Sequence, residues 1–454
     1  MNSIHRSGLW LSLVAVTMSA CGGGGGGAAA PASSTLVSIA LSPLTVSLAA
    51  GGTAQLAVSG TYSNSTTQSL TSGETFASSD TTTATVSATG LVTVAAGAAI
   101  GATATITATD TASGVKTSAS TSTLVTVVAA GAGPPTPTSI SAAQSTAAGT
   151  ANCNLISPFY WEIGDKSGAL ASGSVGIDSS TGNPITATSN VSIASASKWI
   201  YGMYVVQERG GAANLTAQDI NFLHFTSGYT YMGSDTTTST CPPPASGPDS
   251  IDACLTLVNS SGEPFDAQNP ATVGIFDYDS GHEENHAGQF QPELAGLDTA
   301  DIGPTIVTEL LGPNSTVSLK YEQPLLAGGI YGNAASYTTL LRAVLSGQLG
   351  MLDALGTSPV CAWVGTGCNA AFSPVFTTHW HYSIAHWVED EPTIGDGAFS
   401  SPGAFGFYPW IEANKLYYGV ISRYSPTGDG LQNGVASAMC GYQIRAAWDS
   451  GAVP

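Results

Sequence analysis

VSIASASKWIYGMYVVQ, residues 191–207, is the stretch on which the reading of this chain turns. Ser195-Ala-Ser-Lys198 is an S-x-x-K, and beyond Lys198 the apolar residues recur at helical spacing. Residues three apart share a helix face, so an amine at 198 can reach a hydroxyl at 195. Burial disfavours an ammonium, and an uncharged amine can take a hydroxyl's proton. A helix opening at Ser195 would also aim its first-turn N–H groups at an anion forming beside that hydroxyl. The string is not specific by itself. Ser113-Gly-Val-Lys116 repeats it in a segment with no helical pattern.

Context separates the two. Upstream stand two strand-like runs, FYWEIGD (159–165) and GALASGSVG (168–176), joined at Lys166-Ser167. Downstream come LTAQDINFLHFTSGY (215–229), FDYDSGHEENHA (276–287), LLAGGIYGNAASYTTLLRAVLSGQLG (325–350) and GAFSSPGAFGFYPWIEANKLYYGVISRY (397–424). NGVASAMCGYQIRAAWDSG (433–451) reads as a closing helix.

In this order the segments resemble the serine β-lactamase and penicillin-binding-protein superfamily, nearest to its class C-type hydrolases, over nearly all of 155–450. That group includes esterases, D-amino-acid peptidases and amide hydrolases. The resemblance implies an α+β domain over 141–454: an antiparallel sheet flanked by helices, plus a mainly helical subdomain. It makes Ser195 the nucleophile and Lys198 its base. Tyr278, in Tyr-Asp-Ser, falls where the superfamily has its Y-x-N tyrosine and would pass a proton to the leaving group. Ser280 would take the asparagine position. Ser401-Pro402-Gly403 stands for the third motif, which puts Ser401 and Gly403 beside the substrate. The backbone N–H groups of Ser195 and Ala404 would form the oxyanion hole. Tyr331-Gly332-Asn333 is a literal Y-x-N but lies in the Gly-Gly segment, and Tyr278 is preferred. Ser401 replaces the lysine or histidine usual in that motif. An ester or amide lacking a carboxylate is therefore expected rather than a penicillin, and no cofactor is implied.

Before this region the chain reads differently. From Ser34 to about Val128 apolar and small polar residues alternate in short runs, such as Val37-Ser-Ile39-Ala-Leu41 and Thr103-Ala-Thr-Ile106, parted by Ser42-Pro43, Gly51-Gly52 and Ser113-Gly114. Period-two strands at regular spacing argue for a β-sandwich. The order SIALSP…VSLAAGGTAQLAVSGTYSN…FASSDTTTATVSATGLVTV resembles the bacterial immunoglobulin-like domain of group 2, over 35–129. It holds no catalytic cluster and reads as a spacer. A proline-rich linker, extended and semi-rigid, is expected over 130–140.

The front of the chain reads as an address. Arg6 precedes twelve mostly apolar residues, Leu9 to Ala20, the length of a signal h-region rather than a membrane span. Met18-Ser-Ala-Cys21 resembles a lipoprotein box, giving a signal peptide over 1–20, a lipidated Cys21 and a Gly/Ala-rich tether over 21–34. The expected location is the bacterial cell envelope, as an outer-membrane lipoprotein or outside the cell, with membrane attachment through Cys21 only. Six cysteines remain, an even number in an oxidising compartment, and they read as disulfides. Of fifteen possible pairings, Cys241–Cys254 and Cys361–Cys368 as short staples are preferred, leaving Cys153–Cys440 to join the ends of the second domain. Ten Lys+Arg against thirty Asp+Glu give a formal charge of -20. Such a surface repels phosphates, so nucleic acid is not an expected partner.

One motif competes. His282-Glu283-Glu284-Asn285-His286 is a literal H-E-x-x-H, which on a helix would offer zinc two histidines with Glu283 as base and Glu309 as a third ligand. Its hydrophilic neighbours tell against the buried, amphipathic helix that zinc sites use. Under the serine reading His282 and His286 would lie beside Tyr278 and line the pocket, and a solvated helix on a non-catalytic domain is the third reading. A zinc peptidase, or a non-catalytic binding protein on the same fold, are thus the alternatives to a serine hydrolase. His379, His381 and His386 lie among aromatics and read as core or pocket wall, with no carboxylate beside them. Glu389-Asp390-Glu391 reads as an exposed loop.

Overall fold

The computed structural model describes residues 34–454, apart from 65, 100, 129–135, 233–239, 376–377, 392–394 and 427–429. The expectations for the signal peptide, Cys21 and most of the tether lie outside the described residues. No described helix is long and apolar enough to cross a membrane.

Residues 36–128 form an immunoglobulin-like β-sandwich. Leu36–Ser42, Ala57–Tyr62 and Thr67–Leu70 make one sheet; Thr45–Ala49, Thr123–Val128, Thr103–Asp110 and Glu74–Ser78 make another. A third, smaller sheet joins Thr53–Gln55, Leu91–Val94 and Ala84–Val86. The period-two pattern sets the core: Ala104, Ile106 and Ala108 are buried on one strand, Val125 and Val127 on its neighbour.

The second domain is α+β. Its eight-stranded antiparallel sheet runs, in spatial order, Gly168–Val175, Phe159–Asp165, Tyr418–Ser422, Tyr408–Ile411, Ala398–Ser400, His386–Glu389, His381–Ser383 and Val360–Cys361. Alternation along the strands serves two cores. Phe159, Trp161, Ile163, Tyr408 and Trp410 pack with Ala143, Ile444 and Trp448 of the first and last helices. Ile411, Tyr418 and Val420 pack on the other side with the Ala196–Glu208 and Ala334–Leu345 helices. Disulfides join Cys153 to Cys440, Cys241 to Cys254 and Cys361 to Cys368.

Two expectations need correction. The linker expected over 130–140 gives way at Thr136 to a helix, Pro137–Gly149. Thr136 caps it by accepting from the Ser139 N–H at 3.0 Å, and Pro137 fills the first turn, where its missing N–H costs nothing. The acidic run is not an exposed loop at its start. Glu389 ends a sheet strand, is fully buried, and receives Arg445 of the last helix at 2.6 Å and the Tyr408 hydroxyl at 2.7 Å.

Candidate active site

The helix Ala196–Glu208 is buried on every side from Ala196 to Val206, so it sits inside the domain rather than on it. Ser195 is its N-cap residue. Ala194, just before it, has φ 45°, a left-handed conformation that costs a non-glycine residue about 1 kcal/mol or more. The chain thus turns sharply out of the short strand Val191–Ser192 into the helix, with Ser195 at the corner.

One turn on, the Lys198 amine lies 3.2 Å from Ser195 Oγ. Lys198 is 2% exposed, and its Nζ also donates to the Ala327 carbonyl at 2.7 Å. Above it stands Tyr278, 4% exposed, with Lys198 Nζ 4.9 Å from the centre of its ring. Phe225 and Trp387 wedge that ring at centroid distances of 5.4 and 5.2 Å. Phe225 is itself held at φ 57°. The Tyr278 N–H donates to the Phe372 carbonyl, in the chain just after the Cys361–Cys368 staple. The buried Lys198 therefore touches both the half-buried Ser195 and Tyr278, which lies 80 residues further along the chain.

The third motif also reaches Ser195, in an unexpected way. Ser401 Oγ donates to the Ser195 carbonyl at 2.9 Å, so its hydroxyl is committed to the protein. Gly403 lies so close to the Ile193 carbonyl that any Cβ there would collide with it. Ala404 follows in the turn before Tyr408–Ile411. Among the described residues, none accepts a hydrogen bond from the Ser195 or the Ala404 amide. Ser280 is buried at the N-cap of the helix Gly281–Phe290.

The literal Y-x-N lies on a small sheet beside the strand that leads to Ser195. Tyr331 pairs with Lys320 and Ser192 in a small sheet, its half-buried ring 6.0 Å from Lys320 Nζ. Asn333 caps the helix Ala334–Leu345 by accepting from the Ser336 N–H at 2.9 Å.

The H-E-x-x-H segment is a helix, but it is buried from Gly281 to Ala287 rather than solvated. His282 Nε2 donates to the Asp277 carbonyl at 2.8 Å, which leaves Nδ1 to accept from the Ser227 hydroxyl at 2.7 Å. His286 Nε2 donates to Asp219 at 2.8 Å, and its Nδ1 accepts from the Tyr201 hydroxyl at 2.7 Å. Burial keeps both rings neutral, His282 down to about 3. Each lone pair that would bind zinc is already used. No group of three or more His, Cys, Asp or Glu among the described residues could hold a metal ion. Asp219 anchors the far end: burial opposes its charge, yet His286 and a bidentate Arg209 at 2.8 and 2.9 Å hold it well below the usual carboxylate range.

His386 and His381 are both engaged within the sheet region. His386 is fully buried, stacks on Trp199 and accepts from the Gly356 N–H at 3.0 Å; burial holds it down to about 3. His381 does have a carboxylate beside it, Asp390 at 2.8 Å. Strand pairing of His381 with Val388 brings together residues nine apart, which spacing alone does not reveal. Glu283 and Glu284, on the same helix as His282 and His286, are fully buried, and burial pushes both carboxyls up, Glu284 to about 7.

Residues 36–122 match the bacterial Ig-like domain of group 2. That segment belongs to this family. No curated protein matches the chain in sequence. Several solved structures are similar to it. A β-lactamase-like protein from Bacteroides dorei is 18% identical with TM-score 0.41, covering 63% of this chain and 93% of that one. EstCE1, a hydrolase with promiscuous acyltransferase activity, is 11% identical with TM-score 0.46, covering 68% and 98%. The unliganded simvastatin synthase of Aspergillus terreus is 12% identical with TM-score 0.40, covering 68% and 99%.

Proposed function

We propose that the chain behind its Ig-like domain is a serine hydrolase that forms an acyl-enzyme at Ser195 on an ester or amide. The observation that carries this reading is the 3.2 Å approach of a buried lysine amine to the Ser195 hydroxyl. A lysine placed only for structure would be expected to keep its charge in water.

In acylation, Ser195 Oγ attacks the carbonyl carbon while Lys198 takes the hydroxyl proton. The Ser195 and Ala404 N–H groups, which have no acceptor among the described residues, receive the oxyanion. The Tyr278 hydroxyl then delivers a proton to the departing alcohol or amine as the carbonyl–heteroatom bond breaks. Water reverses the sequence, releasing the acid and restoring Ser195. Ser401 is turned onto the protein and offers no cation. Esterase, amidase or D-peptidase chemistry on substrates without a carboxylate is therefore favoured over penicillin hydrolysis. The acidic surface, at -20, also disfavours strongly anionic substrates. With a lipidated Cys21 the enzyme would work tethered to the cell envelope, the Ig-like domain acting as spacer.

The test is a panel of short-chain esters, D-amino-acid amides and β-lactams, run on the wild type and on Ser195→Ala and Lys198→Met. Both variants should lose turnover by at least about 10³-fold while unfolding normally. Labelling by a fluorophosphonate should vanish in Ser195→Ala. Turnover retained without Ser195 ends this reading.

A further inference from the structure

Glu284 lies on the H-E-x-x-H helix and is fully buried, yet the acyl-enzyme chemistry leaves it without a task. Its Oε1 accepts from the Ala327 N–H at 2.9 Å. The carbonyl of the same Ala327 receives Lys198 Nζ at 2.7 Å, and that amine stands 3.2 Å from Ser195 Oγ. One alanine thus carries both bonds, one to the carboxyl and one to the lysine.

Ala327 sits in a tight turn. The Gly329 N–H closes on the Leu325 carbonyl at 2.7 Å, and Gly329 has no room for a Cβ between the Gln323 and Leu325 carbonyls. Beyond the turn, the Ile330 N–H donates to Ser197 Oγ at 3.3 Å, inside the helix that carries Lys198. The turn's own side chains, Leu325, Leu326 and Ala327, are apolar. Glu284 supplies it with a polar anchor reached from a separate helix.

Burying a carboxyl for packing alone is a poor choice. Glu284 Oε2 has no partner among the described residues, and an apolar side chain of the same length would fill the space without that unmet need. A carboxyl kept under those conditions fits a role in geometry.

We propose that Glu284 is a positioning residue for the general base, holding Ala327 so that its carbonyl fixes the Lys198 amine against Ser195. This rests on the acyl-enzyme reading above. Glu284 touches neither substrate nor the reacting atoms and acts only through Ala327 and Lys198.

The full chain is assayed with p-nitrophenyl butyrate and with a fluorophosphonate probe, comparing wild type, Glu284→Met, Glu284→Gln and Glu284→Asp. In Glu284→Met kcat should fall about 10- to 100-fold, as a misplaced base would cause, with KM within about twofold. Fluorophosphonate labelling should slow in parallel. Glu284→Gln, whose amide oxygen still accepts from Ala327, should stay near wild type. Glu284→Asp withdraws the acceptor by one methylene and should lose kcat in the same KM-sparing way, which decides the matter should Glu284→Met not fold. Wild-type kcat in Glu284→Met or Glu284→Asp overturns the proposal, as does a Gln variant no better than Met. Turnover that survives Ser195→Ala overturns the acyl-enzyme reading instead.

Discussion

Ser401 Oγ donates to the carbonyl of Ser195 at 2.9 Å, so a residue 206 positions away braces the backbone of the proposed nucleophile. Removing that brace should loosen the corner at Ser195 without changing what the pocket recognises. Ser401→Ala is expected to lower kcat by roughly fivefold, the worth of one hydrogen bond. The ratio of kcat/KM for a neutral ester over its carboxylate-bearing analogue should stay as in wild type. A tenfold change in that ratio would mean that Ser401 meets substrate.

Ala194 is the other constraint on that corner. Its φ of 45° suits glycine and is hard on a branched side chain. Ala194→Gly should leave stability nearly unchanged, because relief of strain offsets the added freedom of the unfolded chain. Ala194→Val should cost about 1–3 kcal/mol and lower kcat as Ser195 shifts. Urea unfolding of the two variants checks this, and equal stability of both would refute it.

The ring nitrogens of His282 and His286 are all engaged within the protein, which leaves zinc no lone pair there. Dialysis against a metal chelator should leave esterase turnover at its starting level. A loss that added zinc restores would bring the metallopeptidase reading back.

Glu284 sets a pH dependence with a definite sign. Burial pushes its carboxyl up from 4.5 to about 7, while the Ala327 N–H acts the other way. The folded state therefore holds this proton more tightly than the unfolded one. Its contribution to stability is fully present below pH 4.5 and is lost as pH rises through about 7. Glu284→Gln cannot titrate. The stability of wild type minus that of Glu284→Gln should fall by about 3 kcal/mol between pH 4.5 and 8. Parallel curves for the two proteins would show that Glu284 is not a buried acid.

How much of this could be read from the chain depended on whether the signal was local. The S-x-x-K was legible because a helix turn fixes the reach from Ser195 to Lys198. The sandwich of 36–128 was legible from alternation, and the strands at 159–165 and 168–175 from composition. The helix at Pro137–Gly149 was missed because Ala, Ser and Thr give no apolar period, although Thr136 before Pro137 was a cap signal in plain view. The burial of Glu389 was missed because its partner, Arg445, comes 56 residues later on another element.

The sequence by itself determined which groups could do chemistry and, where the pattern was strong, which stretches would be strand or helix, since those follow from nearest neighbours along the chain. From letters alone HEENH could be a zinc pair or a solvated helix. The tertiary structure overturned both by burying the helix and seating Ser227, Tyr201, Asp219 and the Asp277 carbonyl against the two imidazoles. A lone pair can serve one partner, and which partner arrives is decided by packing between segments that the sequence keeps far apart.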